Sequence, residues 1–204
     1  MYRLVLASRN KGKLKELRQL LDGFGFEVLD LDSFPEVPEI EEKGLTFEEN
    51  AATKAETAAQ ITGCPALADD SGLEVDVLDG APGIYSSRFA GSDGDDAANN
   101  DKLLQELTGV PSELRNARFR CVVALVVPGG KTRTAEGICE GTIGFEPVGE
   151  NGFGYDPLFI VKDFGRTMAE LSPQEKNEIS HRAQALRKAV PILREMLIND
   201  DARR

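Results

Sequence analysis

The chain has 204 residues, a net charge of −11 at pH 7 and 41% hydrophobic residues, which predicts a soluble globular protein of one large domain or two small lobes. The acidic balance argues against a nucleic-acid polymer as partner, because such proteins carry a basic face. No apolar run approaches the roughly 20 residues that span a bilayer, the N-terminal apolar run is too short for a secretory signal, and the three cysteines suggest neither a disulfide framework nor a zinc site. We therefore expect a cytoplasmic protein that does not contact membranes.

The first predicted unit is a strand, a polar turn and a helix. Leu4–Ala7 is a short apolar run, Ser8–Lys13 is polar and contains a glycine, and leucines recur with helical spacing from about Lys13 to Leu21. Such a turn suits an anion, because the backbone N–H groups and the helix dipole point at the ligand. The glycine spacing is not that of a Walker A loop. A phosphate site and a plain strand-to-helix turn are both open interpretations.

A second helix follows a predicted strand at Phe26–Leu29 and a loop rich in Pro and Glu. Thr46–Glu49 has the pattern of a capping box, in which each end residue caps the other's backbone N–H. About 15 helical residues follow, and small or apolar residues form one close-packing face: Phe47, Ala51, Ala55, Ala58 and Ala59. Asn50 and Lys54 are four residues apart and share a different stripe of the helix. We expect Lys54 to lie close to the sheet.

Two adjacent carboxylates, Asp69 and Asp70, follow a short apolar run and precede Ser71 and Gly72. Buried side chains do not tolerate neighbouring negative charges unless something neutralises them, and Mg²⁺ prefers carboxylate oxygens. The alternative is a plain turn, since Asp, Ser and Gly are all turn formers. We expect the pair at a turn after a strand, with the two side chains on opposite faces and Asp69 supporting the site from behind.

The second half of the chain predicts a helix over about Ala97–Leu107 and a strong strand over Phe119–Val127. A hairpin turn at Pro128–Lys131 leads to a partner strand from about Thr132 to Cys139. Strands joined so tightly must be antiparallel, so the sheet is predicted to be mixed.

The last third contains an aromatic, glycine-rich segment at Asn151–Phe159. Phe153 could stack on a flat base, or the aromatics could be core residues of a hairpin. Ser172–Glu175 is a second predicted capping box with Pro at the first helical position. His181–Arg182 lies at a predicted helix start, where both side chains could donate hydrogen bonds, and Pro191 is expected to kink or divide that helix.

These motifs, in this order and spacing, resemble those of the inosine triphosphate pyrophosphatase family over almost the whole chain. The blocks that carry the resemblance are Ser8-x-Asn10-x-x-Lys13, Glu42 with Gly44, Thr46-Phe47, Glu49-Asn50-Ala51 and Lys54, Asp69-Asp70-Ser71-Gly72-Leu73, Ala81-Pro82-Gly83-Ile84-Tyr85-Ser86, Phe153-Gly154-Tyr155-Asp156-Pro157, and Lys176 with Ser180-His181-Arg182. Two departures from the family pattern are Arg9, where a glycine is common, and Lys43, which follows Glu42.

The resemblance implies an α/β fold with a long curved mixed β-sheet, flanking helices, and two lobes of a single domain with an active-site cleft between them. It implies hydrolysis of ITP, dITP and XTP to the monophosphate and pyrophosphate, with Mg²⁺ as cofactor and a homodimer as the assembly. Three lysines from separate segments are expected to form a local positive pocket: Lys13, Lys54 and Lys176.

The resemblance also implies residue roles. Asp70 is the expected proton acceptor, and Glu42 and Asp70 are the expected metal ligands. The triphosphate is expected to bind the turn made of Ser8, Arg9, Asn10, Lys11, Gly12 and Lys13. The other expected nucleotide contacts are Lys54, Ser71, Phe153, Gly154, Tyr155, Asp156, Lys176, His181 and Arg182.

Two other functions compete with this interpretation. A septum-protein type of pyrophosphatase would act on pyrimidine or modified nucleotides, but the Phe153–Pro157 and Ser180–Arg182 blocks favour the purine family. A non-catalytic nucleotide-binding regulator would have no need for Glu42, Asp69 and Asp70.

Overall fold

The computed structural model describes residues 2–92 and 94–201. The strands of this described part are β1 (Tyr2–Leu6), β2 (Phe26–Asp30), β3 (Ala66–Val75), β4 (Asn116–Val126), β5 (Arg133–Ile143) and β6 (Phe159–Val161). Its α-helices are α1 (Lys11–Leu21), α2 (Phe47–Thr62), α3 (Asp96–Glu106), α4 (Pro173–Ile179) and α5 (His181–Asp201). Within these residues, no helix combines the length and the apolar character needed to cross a membrane.

The strands form one sheet in the order β2-β1-β3-β4-β5-β6. β1 runs parallel to β2 and to β3, with Leu4 opposite Val28 and Val5 opposite Ala66. β5 and β6 are antiparallel, with Thr142 opposite Ile160. The structure therefore confirms the predicted α/β class with a mixed sheet and flanking helices.

The chain divides into two compact units, and β3, β4, β5 and α5 each contribute residues to both. Unit 1 comprises residues 2–70, 121–137 and 182–201, and unit 2 comprises residues 71–120 and 138–181. In unit 1, leucines of α1 pack with β-strand residues and with the apolar side of α5, among them Leu17, Leu67 and Leu193. The core of unit 2 includes Leu73, Leu103 and Phe159. Each unit thus buries an apolar core of its own.

Helix starts were largely predictable because their signals are local. The Ser172 hydroxyl accepts the Glu175 N–H while the Glu175 carboxylate accepts the Ser172 N–H, which confirms the predicted box at α4. The box at α2 was only half right. Thr46 accepts the Glu49 N–H as predicted, but the Glu49 carboxylate accepts the N–H of Leu45 at 2.7 Å.

One backbone prediction was wrong, and one of the two outcomes expected at Pro191 is excluded. Asp69 and Asp70 do not sit at a turn, because β3 continues through both of them and through Gly72. Turn propensity is weak against the pairing of a central strand, and buried partners neutralise the two charges. Pro191 does not divide the last helix, which runs unbroken from His181 to Asp201. Buried residues on both sides of the proline, such as Val190 and Leu193, offset the lost hydrogen bond.

Candidate functional site

The polar turn before α1 is built by short side chains that organise its backbone. The Ser8 hydroxyl accepts the Asn10 N–H at 3.2 Å, and the Asn10 side chain accepts the Lys13 N–H at 3.0 Å as the helix cap. Lys11 and Gly12 lie in the first helical turn, where backbone N–H groups have no intrahelical acceptor. The backbone N–H groups of Lys11 and Gly12 therefore point at the place where an anion would bind.

Arg9 belongs to the same turn but contacts the neighbouring loop. Its Nη2 atom donates to the Val37 carbonyl at 2.9 Å, and its Nη1 atom lies 3.5 Å from the Asp32 carboxylate. These contacts order the loop that leads towards Glu42. They differ from the phosphate contact expected for Arg9.

Asp70 lies at the centre of a polar cluster on β3 and α2. Its Oδ2 atom accepts a hydrogen bond from the buried Asn50 amide at 3.0 Å, and its Oδ1 atom lies 3.5 Å from the Lys54 ammonium. Burial raises the pKa of Asp70 and so does the charge of Glu42, against the opposite effects of Lys54, Lys13 and Asn50. A carboxylate with a raised pKa is a better proton acceptor near neutral pH.

Lys54 joins Asp70 to Glu42. Its ammonium group donates to the Glu42 carboxylate at 2.5 Å. Burial alone would lower the pKa of Lys54, but the charges of Asp70, Glu42 and Asp69 outweigh it and raise that pKa. Lys54 therefore stays positively charged although it is buried. The expectation that Lys54 lies close to the sheet is confirmed by its contact with Asp70 on β3.

Asp69 contacts a different set of side chains. Its Oδ2 atom lies 3.2 Å from Arg182 Nε and 3.3 Å from the Lys13 ammonium. Burial would raise the pKa of Asp69, but Lys13, Arg182 and Lys54 together hold it well below its usual range. Asp69 is thus a permanent anion that pairs with cations from α1 and α5.

Arg182 is expected to contact the nucleotide, and its described contacts are with carboxylates. The residue is 1% exposed, and besides Asp69 its guanidinium pairs with the Glu16 carboxylate of α1. It therefore acts as an internal cation that links α5, α1 and β3 in unit 1.

Glu42 and Asp70 are oxygen donors of the kind that Mg²⁺ requires. Both carboxylates approach the same ammonium group, that of Lys54, so they already converge on one cation. No group of three or more His, Cys, Asp and Glu side chains among residues 2–92 and 94–201 is arranged to hold a metal by itself. Mg²⁺ often takes only one or two carboxylates together with waters and substrate phosphates. The donor set therefore fits Mg²⁺ bound together with a phosphorylated ligand.

In unit 2, the aromatic, glycine-rich segment forms a loop before β6. The Asp156 carboxylate accepts the Phe153 N–H at 3.0 Å and pairs with the Lys176 ammonium at 2.6 Å. That ammonium lies 5.1 Å from the centre of the half-buried Phe153 ring. The loop thus presents an aromatic face next to a positive charge.

Tyr155, which is expected to contact the nucleotide, lies in the interior of unit 2. Its ring is buried in the core of unit 2, and its hydroxyl donates to the Ser86 carbonyl at 2.8 Å. Burial raises the pKa of the Tyr155 phenol, so that hydroxyl remains a donor at neutral pH. Tyr155 therefore anchors the loop to the core of unit 2. Ser71, another expected nucleotide contact, lies on β3 and is half-buried.

His181 begins α5 and is buried in unit 2. Its ring stacks on Phe119 with 4.8 Å between the ring centres and 17° between the planes. Stacking fixes the plane of the imidazole and leaves its nitrogen atoms on the ring edge, where hydrogen bonds form. This supported ring suits a donor that must keep one orientation.

Sequence reasoning missed several contacts because they join distant segments. Glu16 shows no local signal that it would meet Arg182, and Asp96 and Asn100 on α3 show none that they would meet the aromatic loop. Asn50 had a signal, its four-residue spacing from Lys54, but the sequence did not place it beside Asp70.

The chain is similar over most of its length to known proteins. The model of the Ham1 family matches residues 4–192. A dITP/XTP pyrophosphatase from Desulforamulus reducens is 56% identical over 98% of this chain and 99% of its own length. One from Geobacter sulfurreducens is 59% identical over 91% of this chain and 94% of its own. The solved structure of a HAM1 protein from Coxiella burnetii matches with a TM-score of 0.86 and 48% identity, over 96% of this chain and 100% of that chain.

These relatives bear the activity name that the motif resemblance implied, so the resemblance is confirmed. The matches to the family model and to these relatives cover nearly the whole of the chain. The chain belongs to the Ham1 family.

Proposed function

We propose that the chain is a nucleoside triphosphate pyrophosphatase that hydrolyses ITP, dITP and XTP to the monophosphate and pyrophosphate. The observation that carries the proposal is the Asp70 cluster, in which a buried carboxylate with a raised pKa lies between Asn50 and a charged lysine. The full-length similarity to proteins named dITP/XTP pyrophosphatase supports the substrate class. Cleansing of non-canonical purines from the nucleotide pool follows from that activity.

The chemical step requires a water molecule, a base and a stabilised leaving group. Water attacks phosphorus, its proton passes to a carboxylate oxygen of Asp70, and the bond between the α- and β-phosphates breaks to release pyrophosphate. Lys13 and the first-turn N–H groups of α1 supply positive charge for the phosphates. Asn50 fixes Asp70 by donating to one of its oxygens, so the other oxygen is kept in a defined orientation.

We assign Glu42 and Asp70 as the residues that would hold Mg²⁺. Bound there with the substrate, Mg²⁺ would neutralise charge on the triphosphate. Lys54 contacts both carboxylates and offsets part of their negative charge. This chain's own part is to keep two oxygen donors close together, with Asp70 held by the hydrogen bond from Asn50.

Selectivity needs groups that distinguish a 6-oxo purine from adenine. We propose that Phe153 stacks on the base and that His181 donates towards the 6-oxo group, whereas adenine would place its amino donor against a donor. Mispairing of that kind costs on the order of 1–3 kcal/mol, or about 5- to 150-fold. The buried pairs of Arg182 with Asp69 and Glu16 support a positioning role for that residue.

The proposal is tested by product analysis with purified protein, Mg²⁺ and a panel of ITP, XTP and the four standard dNTPs. Pyrophosphate released preferentially from ITP and XTP is the expected result. Preference for a pyrimidine nucleotide would favour the septum-protein type of enzyme, and binding without turnover would favour a regulator. With ATP added to the panel, His181→Ala is expected to lower the ITP to ATP ratio of kcat/KM, and an unchanged ratio would contradict the assignment of His181.

We further propose that the chain forms a homodimer and acts in the cytoplasm, as the family resemblance implies. The net charge of −11 supports a small anionic substrate in a local positive site over a nucleic-acid polymer. Sedimentation velocity of the purified chain tests the dimer.

A further inference from the structure

Two side chains of helix α3 form hydrogen bonds with both backbone polar groups of one residue in the aromatic loop. The Asp96 carboxylate accepts the Gly154 N–H at 2.7 Å, and the Asn100 amide donates to the Gly154 carbonyl at 2.9 Å. Residues four apart lie on the same side of a helix, so the two side chains form one binding edge. Both hydrogen bonds lie within unit 2.

The same loop is fixed from its other side by Asp156, which accepts the Phe153 N–H. Gly152 leaves no room for a side chain there, because a Cβ atom would overlap the Asp156 carboxylate. The two peptide groups that flank the Phe153 side chain are therefore each fixed by one hydrogen bond, to Asp156 and to Asp96, and the following peptide group is fixed by Asn100. These bonds determine where the Phe153 ring lies relative to Lys176.

Asn100 is suited to this contact rather than to packing. Its side-chain nitrogen donates to two carbonyls, those of Gly154 and of Asp96, and this fixes which way the amide points. Its Oδ1 atom is buried and has no hydrogen-bond partner among the described residues. A buried acceptor without a partner is destabilising, whereas a leucine of similar size would pack on α3 at no such cost. The two hydrogen bonds that it donates are therefore what the Asn100 amide contributes and a leucine could not.

We propose that Asp96 and Asn100 are positioning residues that set the aromatic loop for the purine base, and so determine base affinity and selectivity. The inference rests on the proposed function, because the loop is taken to bind the base. Neither residue touches the reacting phosphates in this account. Both act on the substrate through Gly154 and the Phe153 ring.

The kinetic test compares Asp96→Ala and Asn100→Leu with the wild-type chain on ITP and ATP. Because the loop binds the base in the ground state and the transition state alike, each variant is expected to raise KM for ITP about tenfold and to change kcat much less. The ITP to ATP ratio of kcat/KM is expected to fall. Asp96→Asn retains an oxygen acceptor for the Gly154 N–H and is expected to restore most of the lost affinity.

Asp95→Ala is the matched control for the stability of α3. The Asp95 side chain caps that helix by accepting the Ala98 N–H at 3.0 Å, and among the described residues no hydrogen bond joins it to the loop. It is expected to lower the melting temperature with KM for ITP unchanged. An equal rise in KM in Asp95→Ala, or no rise in Asp96→Ala and Asn100→Leu, would overturn the inference.

Amide hydrogen exchange gives a readout that is independent of turnover. The Gly154 N–H is expected to exchange slowly in the wild-type chain and in Asp95→Ala, and at least about tenfold faster in Asp96→Ala. Equal exchange rates in all three proteins would contradict the hydrogen bond between the Gly154 N–H and Asp96. A wild-type chain that protects Gly154 but releases no pyrophosphate from ITP would instead overturn the proposed function.

Discussion

At the scale of single residues, two neighbouring aspartates acquire different properties from their partners. Asp69 lies between Arg182 and Lys13, which hold its pKa below the usual range, whereas burial raises the pKa of Asp70. Successive side chains of a strand point to opposite faces, so one strand supplies both a permanent anion and the carboxylate that we propose as the proton acceptor. The difference explains why an acidic pair can be buried without both charges being suppressed.

Asp69→Asn is expected to destabilise unit 1, because it removes the buried partner of Arg182 and Lys13. Breaking a buried pair in this way costs about 3 kcal/mol. The folded-state pKa of Asp69 is below its unfolded value of about 3.9, so its charge contributes fully above that pH and the contribution is lost as the pH falls below it. Urea denaturation in EDTA from about pH 8 down to about pH 3 measures the difference between wild type and variant.

The difference in unfolding free energy is expected to be constant between about pH 8 and about pH 5 and to shrink below about pH 4. Glu195→Gln, which removes an exposed ion pair with Arg133, serves as the control with a small effect throughout. A difference for Asp69→Asn that stayed constant down to pH 3 would contradict the paired, low-pKa state.

At the scale of elements, β3 depends on a glycine that lies in an extended strand. A Cβ atom on Gly72 would lie 2.5 Å from the Ser86 hydroxyl oxygen and closer still to the Gly83 carbonyl. Ser86 occupies that space because its hydroxyl accepts the Leu73 N–H at 2.9 Å and donates to the Gly83 carbonyl at 2.6 Å. The glycine after the acidic pair therefore permits a close approach of chain segments rather than a turn.

Gly72→Ala is expected to lower the free energy of unfolding by about 1–3 kcal/mol, because backbone must move to admit the methyl group. Gly144→Ala is the matched control in the same unit, since its Cβ atom would meet its nearest neighbours at 3.5 Å, an ordinary contact. Chemical denaturation of both variants measures the difference. Equal stability of the two would show that the space beside Gly72 is not restrictive.

What the sequence predicted at this scale was local, and what it missed was not. Thr46 and Ser172 act within a few residues of themselves, and leucine spacing identified α1 because one face of that helix is buried. The turn expected at Asp69–Gly72 failed because a strand in the middle of the sheet overrides local turn preference. The hydrogen bonds of Asp96 and Asn100 with Gly154 join segments more than 50 residues apart, and no local pattern encodes such contacts.

At the scale of the whole molecule, the charge is distributed unevenly. The net charge is −11, yet Lys13, Lys54 and Arg182 are gathered around the aspartates of unit 1. Lys176 lies beside Phe153 in unit 2. Positive charge is therefore present where a small anion is proposed to bind, in a chain that is acidic overall.

This distribution predicts that the chain binds nucleotides and not polynucleotides. Affinity for duplex DNA or single-stranded RNA at about 50 mM salt is expected to be weaker than about 100 μM, because a net charge of −11 repels the phosphate backbone. Fluorescence polarisation with labelled oligonucleotides measures it, with a basic nucleic-acid-binding protein as the positive control. Tight binding with a steep salt dependence would contradict the prediction.

The central claim is that Asp70 accepts the proton in a reaction that releases pyrophosphate, and Asp70→Asn tests it most directly. Asparagine has nearly the same shape but is not a base, so the rate of pyrophosphate release from ITP is expected to fall by about 10²- to 10⁴-fold while calorimetry still detects bound ITP. Asp163→Asn, a change at an exposed carboxylate, is the control that keeps full activity. A variant Asp70→Asn that released pyrophosphate at the wild-type rate would contradict the account.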